Sequence, residues 1–164
     1  MVSNELVIDS FERIKSVVHQ AAKGLSIDEL AYRPTPTANS IAWLIWHLSR
    51  IQDDHIAELT GEKQVWAAGW FDKFELPFKE GATGYGQISD EVAAVQVSAD
   101  LLLGYHDAVH KNTIDYVSKL KDKDYKKVVD ERWTPPVTLA VRLISVIADD
   151  LQHAGQAAYI RGLL

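Results

Sequence analysis

Apolar residues recur along this chain in the three-and-four rhythm of helices that bury one face. In the first such segment, Leu6 to Lys23, the stripe is Leu6, Phe11, Ile14, Val17, Val18 and Ala21. Ser3 or Asn4 is placed to cap it and Gly24 to stop it. A connector from Leu25 to Ala38 follows. Pro34 and Pro36 forbid a regular helix there, and Ser26-Ile27-Asp28-Glu29 reads as a short capped turn. The second helix starts after Asn39 or Ser40, both good caps, and stops at Gly61. Its stripe is Ile41, Leu44, Ile45, Leu48, Ile51, Gln52, His55, Ile56 and Leu59. A third stripe runs through Ile88, Val92, Val95, Ala99, Leu102, His106, Val109, Thr113, Tyr116 and Leu120, with Ser89 or Gln87 at its cap. Its nine consecutive steps are the strongest periodicity in the chain. Pro135-Pro136 then opens a fourth helix that reaches about Gly162, since proline is tolerated in a first helical turn.

Two segments break the rhythm. Glu62 to Gln87 scatters Trp66, Trp70, Phe71, Phe74, Leu76, Phe78 and Tyr85 among glycines and Pro77. It reads as a long loop packed on the helices, either functional or a structural cover for a helix end. Asp124 to Thr134 is short and polar, with Val128 and Val129 extended. No alternating strand runs, internal repeat or linker interrupt the order. The pattern predicts an all-α four-helix bundle in one domain, residues 1–164.

Composition narrows the function classes. The 164 residues can bury a sizeable core, and 47% hydrophobic with 24% charged residues is ordinary for a globular domain. A net charge of −6, spread along the chain, builds no footprint for nucleic acid. The lysines from Lys119 to Lys127 are interleaved with Asp122 and Asp124, so no polybasic membrane patch is read. The chain contains no cysteine. That excludes disulfides, thiolate ligands and a protein thiol nucleophile, so any thiol chemistry must use a small-molecule thiol. The start, Met1-Val2-Ser3-Asn4-Glu5, lacks a signal-peptide pattern, and no apolar run approaches the roughly 20 residues that span a bilayer. The cytoplasm is the expected location.

The candidate chemistry lies in histidines and carboxylates. His47 closes the apolar run Ile41-Ala42-Trp43-Leu44-Ile45-Trp46, so it is expected to be buried. It is either a metal ligand or a core imidazole satisfied by hydrogen bonds. Asp149 and His153 are four apart, which puts a carboxylate and an imidazole on one helix face. One histidine from an early helix and this pair from a late one would give three protein ligands, the pattern of catalytic metal sites. The bland alternative is an ordinary intrahelical Asp/His pair. His106 and His110 are also four apart, and by spacing alone they are the better metal motif. His55 lies in the second stripe, and Asp54, seven residues after His47, could orient it or act as acid or base. His19 has no spaced partner.

Two segments carry a family resemblance. Asn39-Ser40-Ile41-Ala42-Trp43-Leu44-Ile45-Trp46-His47-Leu48-Ser49-Arg50 resembles the second-helix motif of the DinB-like superfamily, in its DUF664-type branch. The segment from Asp149 through Gln152-His153-Ala154-Gly155-Gln156 to Gly162 resembles that branch's last-helix motif. The resemblance covers essentially the whole chain in helix order and length. It implies a four-helix bundle of the DinB/YfiT-like metalloenzyme type, often a homodimer, with a divalent metal such as Zn or Ni held by His47, Asp149 and His153. It demotes His106 and His110. The departure is Asp149, where many relatives carry His or Glu; Asp150 is the nearby alternative, about 100° around the helix.

Relatives with known activity are thiol-dependent transferases and isomerases, among them mycothiol-dependent maleylpyruvate isomerase and bacillithiol S-transferases. The resemblance therefore implies a metal-activated low-molecular-weight thiol, mycothiol or bacillithiol, acting on a small-molecule substrate. Arg50, Arg142 and Trp70 are the expected contacts to cofactor or substrate. A metal-dependent hydrolase with Asp54 as base, and a non-catalytic binding or dimerisation module, are the alternatives.

Overall fold

The computed structural model describes residues 3–164. Four long helices make its frame: α1 (Ser3–Ala22), α3 (Ile41–Thr60), α6 (Ala99–Val117) and α7 (Leu139–Arg161). Short helices α2 (Ile27–Ala31), α4 (Phe71–Phe74) and α5 (Ser89–Ala93) lie in the connections. Strands β1 (Val128–Asp130) and β2 (Val137–Thr138) form an antiparallel ribbon, with Val128 opposite Thr138 and Asp130 opposite Val137. Phe11, Ile14, Leu44, Ile45, Leu48, Leu102, Tyr105 and Leu143 fill the space between the long helices and are fully buried. The expected all-α bundle is the fold found.

Cross-helix contacts give the direction of each helix. His19 bonds Asp107 at 2.8 Å and His110 bonds Glu12 at 3.1 Å, so α1 and α6 are antiparallel. Ser49 meets His106 at 3.1 Å and Gln52 meets Thr113 at 2.7 Å, so α3 and α6 run parallel. His47 adjoins His153 and Arg142 adjoins His55, which makes α3 and α7 antiparallel. The order is up-down-down-up. A parallel α3–α6 pair needs a connection that returns along the whole bundle, about 30 Å for a 20-residue helix. The long aromatic segment is that crossover.

Local signals explain most boundaries. Ser40 Oγ accepts from Trp43 N at 3.1 Å, and Gly61 (φ 72°) ends α3 in the left-handed conformation. Ser26 and Glu29 complete a capping box at α2. Three boundaries differ from the sequence reading. Ser3 and Asn4 lie inside α1, and the residues ahead of them fall outside those described. The third stripe is not one helix: α5 stops at Ala93, and α6 begins only after Ser98, whose Oγ accepts from Leu101 N at 3.3 Å. The rhythm survived the break because Val92 and Val95 are buried from a short helix and a loop. Pro135 and Pro136 do not open the last helix. They lie in the turn of the β ribbon, and Thr138 caps α7 by accepting from Val141 N at 3.4 Å. Among the described residues no helix is long and apolar enough to cross a membrane.

Candidate metal centre

His47 projects from the fully apolar half of α3, where it is buried; Asp149 and His153 are half-buried on α7. Because α3 and α7 are antiparallel neighbours, the three meet. One ligand atom from each lies within 4.8 Å of the others, and His153 Nε2 stands 3.5 Å from Asp149 Oδ1. Ligand atoms sharing a tetrahedral ion at about 2 Å are themselves roughly 3.3 Å apart, so the α7 pair already has nearly that spacing.

Hydrogen bonds fix which imidazole nitrogens face the group. His47 Nδ1 lies 2.5 Å from the Thr83 carbonyl oxygen. A carbonyl can only accept, so Nδ1 carries the proton and Nε2 keeps its lone pair. His153 Nδ1 lies 3.3 Å from Gln156 Oε1, which likewise leaves Nε2 toward Asp149. Metal-ligating histidines are oriented in just this way by a partner on the other ring nitrogen. Trp43 stacks on His47, with ring centroids 4.6 Å apart and planes 13° apart. Among the described residues, Asp149 Oδ2 is buried with no hydrogen-bond partner. An orphaned carboxylate oxygen beside two imidazole lone pairs is a set of acceptors without a donor, and a cation satisfies it.

Electrostatics favour a neutral His47 and an ionised Asp149, and that carboxylate draws a proton onto His153 for which a bound cation would compete. Burial lowers the His47 pKa, with the Thr83 bond opposing, so its imidazole stays neutral. The hydrogen bond to Asp149 raises the pKa of His153 against the effect of burial. Burial works against ionisation of Asp149, but the His153 bond and the charges of His153, His47 and His55 outweigh it and hold the carboxyl below its ordinary value.

The other expected residues stand elsewhere. Arg50 is fully buried one turn beyond His47, and its guanidinium donates to Ala82 O, Glu80 O and Gln64 Oε1. Those donors hold the crossover loop rather than a ligand. Asp54 accepts from Gln64 Nε2 at 2.7 Å and is not in the group. Arg142 reaches Asp130 at 2.8 Å and His55 at 3.5 Å. His55 contributes to the field at Asp149, so Arg142 stands behind the site, one residue removed. Trp70 packs on Tyr105, with centroids 5.7 Å apart. Asp150 is fully buried, among the described residues both its oxygens lack partners, and burial pushes its pKa well above the ordinary value, which favours the neutral acid. His106 bonds Ser49, and burial drives its pKa down to about 3; His110 bonds Glu12. Neither belongs to a metal-sized group.

Sequence reasoning missed Thr83, Gly84, Gln156 and Trp43. The last two had a usable signal, since Gln156 is three residues after His153 and Trp43 four before His47. Thr83 and Gly84 had none, because they act through backbone from an aperiodic loop. A groove of 660 Å³ is lined by Pro34, Leu44, Leu151, Gln156 and Tyr159 among others, and Gln156 is the residue whose amide oxygen meets His153 Nδ1.

An up-down-down-up bundle with a His/Asp/His group between its second and last long helices defines a DinB-like protein with a candidate metal centre. The chain belongs to the mycothiol-S-transferase family, whose model matches residues 7–164. It is also similar to a solved structure described as the conserved protein of locus from Enterococcus faecalis. The two share 31% identity and a TM-score of 0.91, over 98% of this chain and 96% of that one. No curated protein matches the sequence.

Proposed function

We propose that this protein is a metal-dependent thiol S-transferase, in which His47, Asp149 and His153 hold a divalent cation such as Zn²⁺ or Ni²⁺. The observation that carries the proposal is the convergence of one ligand atom each from His47, Asp149 and His153 to within 4.8 Å, with Asp149 Oδ2 buried and unpartnered among the described residues. A divalent ion held there supplies a Lewis acid that lowers the pKa of a bound thiol and favours thiolate at neutral pH. The thiol is external, since the chain has no cysteine, and the family points to mycothiol or a similar low-molecular-weight thiol such as bacillithiol. The groove beside Gln156 is apolar on most of its wall and suits the carbon skeleton of a small electrophile. In transfer, the thiol proton passes to solvent, the sulfur lone pair forms the new bond to the electrophilic carbon, and that carbon's bond to its leaving group breaks with the electron pair departing on the leaving group. The hydrolase alternative loses support because Asp54, its intended base, lies outside the group, where it accepts from Gln64 Nε2.

The test is transfer of a low-molecular-weight thiol to a chromogenic electrophile by metal-loaded protein. Product formation above the uncatalysed rate, abolished by chelation and restored by Zn²⁺ or Ni²⁺, is expected. A loaded protein that consumes the electrophile equally well without thiol would refute the transferase reading.

The same reading includes a homodimer in the cytoplasm. Val141 (54% exposed) and Ile144 (60%) form an apolar patch on the solvent face of α7, which a second copy would cover. Sedimentation velocity is expected to give about twice the 18.3 kDa chain mass, and Ile144→Glu to return the monomer mass. A wild-type chain sedimenting as monomer at micromolar concentration would exclude the dimer.

A further inference from the structure

The crossover loop is fastened to α3 at successive points around His47. Arg50 takes the carbonyls of Glu80 and Ala82, at 3.3 and 3.0 Å. Thr83 O accepts from His47 Nδ1 at 2.5 Å. Gln87 Oε1 accepts from Trp43 Nε1 at 2.7 Å, and that indole lies flat on the His47 ring. Between these contacts sits Gly84 (φ +94°). A Cβ on it would stand 2.7 Å from His47 Nδ1 and 3.1 Å from each of the Trp43 and Trp46 rings. No side chain fits there while the Thr83 carbonyl keeps its place.

We propose that the Thr83–Gly84 backbone is the positioning element of this site. Its carbonyl holds His47 as the Nδ1–H tautomer, and the missing side chain at 84 lets it approach. A carbonyl can only accept, and the space at Gly84 admits it to His47 Nδ1. Its consequence for metal rests on the reading above: a wrong tautomer would put a proton on Nε2, where a ligand needs a lone pair. Neither residue supplies a ligand atom to the group, so both act through His47.

The same loop supplies a control. Gly86 also has positive φ (+74°), but a Cβ there meets nothing within 4 Å. Gly84→Ala and Gly86→Ala therefore share the backbone penalty of a left-handed residue, and only the first presses on His47. Long-range ¹H–¹⁵N spectra of the metal-free protein at mildly alkaline pH read the tautomer directly. Wild type and Gly86→Ala are expected to show His47 in the single Nδ1–H form, and Gly84→Ala a mixture or the Nε2–H form. Competition with a chromophoric chelator should find Zn²⁺ affinity roughly 10–100-fold weaker in Gly84→Ala and within about twofold of wild type in Gly86→Ala. Equal losses in both variants would trace the effect to loop folding and overturn the proposal, as would no loss in either. The wild-type spectrum decides even if Gly84→Ala does not fold: His47 in the Nε2–H form overturns the assignment. A wild-type protein with the Nδ1–H tautomer and no Zn²⁺ affinity would sink the metal reading alone.

Discussion

His153→Ala and His47→Ala are each expected to lose bound metal, while His106→Ala keeps it. Either loss removes one of three candidate donors. The expected drop in Zn²⁺ affinity exceeds the roughly 10–100-fold that follows when only a partner behind a ligand is lost. His106 faces Ser49 and lies outside the group, so it is the matched control for deleting a buried imidazole. Asp149→Asn separates charge from shape. It keeps an oxygen in place but removes the anion, so affinity should fall between wild type and the histidine variants. Protons sharpen the test, because they compete with metal for the same nitrogens. Asp149 raises the His153 pKa above its ordinary 6.5, and burial sets that of His47 below it. Above the His153 value neither imidazole carries a second proton, and affinity should be level. Below it, metal must displace one proton, and affinity should fall about tenfold per pH unit. In Asp149→Asn the raising partner is gone, so the fall should begin at lower pH. Chelator competition across this range measures all of it. Stoichiometric metal in His153→Ala would discard the assignment.

The trio was legible because helices convert spacing into direction. Asp149 and His153 share a face at four residues apart, and the apolar run before His47 announced its burial. What spacing could not tell was whether α3 and α7 are antiparallel neighbours, which brings the two faces together. Connection lengths held that information, since a 20-residue helix parallel to its successor needs a long return, but the aromatic segment reads equally well as a lid. The third stripe misled for a physical reason: burial imposes the apolar rhythm on Val92 and Val95 whether or not the backbone between them is helical. Pro135-Pro136 suited a helix start and a ribbon turn alike, and the pairing of β2 with β1 decided it. Arg50 stood out as a cation in an apolar helix. Spacing cannot distinguish an arginine aimed at a ligand from one serving carbonyls 32 residues away, because backbone acceptors have no sequence signature.

The most destabilising single change should be Arg50→Ala. Arg50 is fully buried beside Asp53, at 3.7 Å from Oδ2, and its guanidinium lies 4.8 Å from the Trp66 ring. Its removal orphans the carbonyls of Glu80 and Ala82 and leaves Asp53 without its cation. Asp53 cannot turn to water, because it also holds Val65 N, Trp66 N and Tyr105 OH. Breaking a buried pair by deleting one partner costs about 3–5 kcal/mol, against a total stability of about 5–15 kcal/mol. For a chain of this length that lowers Tm by roughly 6–20 °C. Arg50→Lys should recover only part, since an ammonium cannot reach three acceptors in the plane of a guanidinium. The pH dependence has a definite sign. Burial already raises the Asp53 pKa, with its hydrogen bonds and Arg50 opposing, and loss of Arg50 removes one of those opposing contributions. A group whose folded pKa is raised stabilises the fold below its unfolded value and loses that contribution as pH rises through the folded one. The deficit of Arg50→Ala against wild type should therefore be larger at neutral than at mildly acid pH. Thermal melts at two pH values read both effects, and proteolysis should cut first within residues 62–87, the segment Arg50 fastens. A variant melting within about 2 °C of wild type would mean that other contacts hold the loop on His47, and that Arg50 is free for another role.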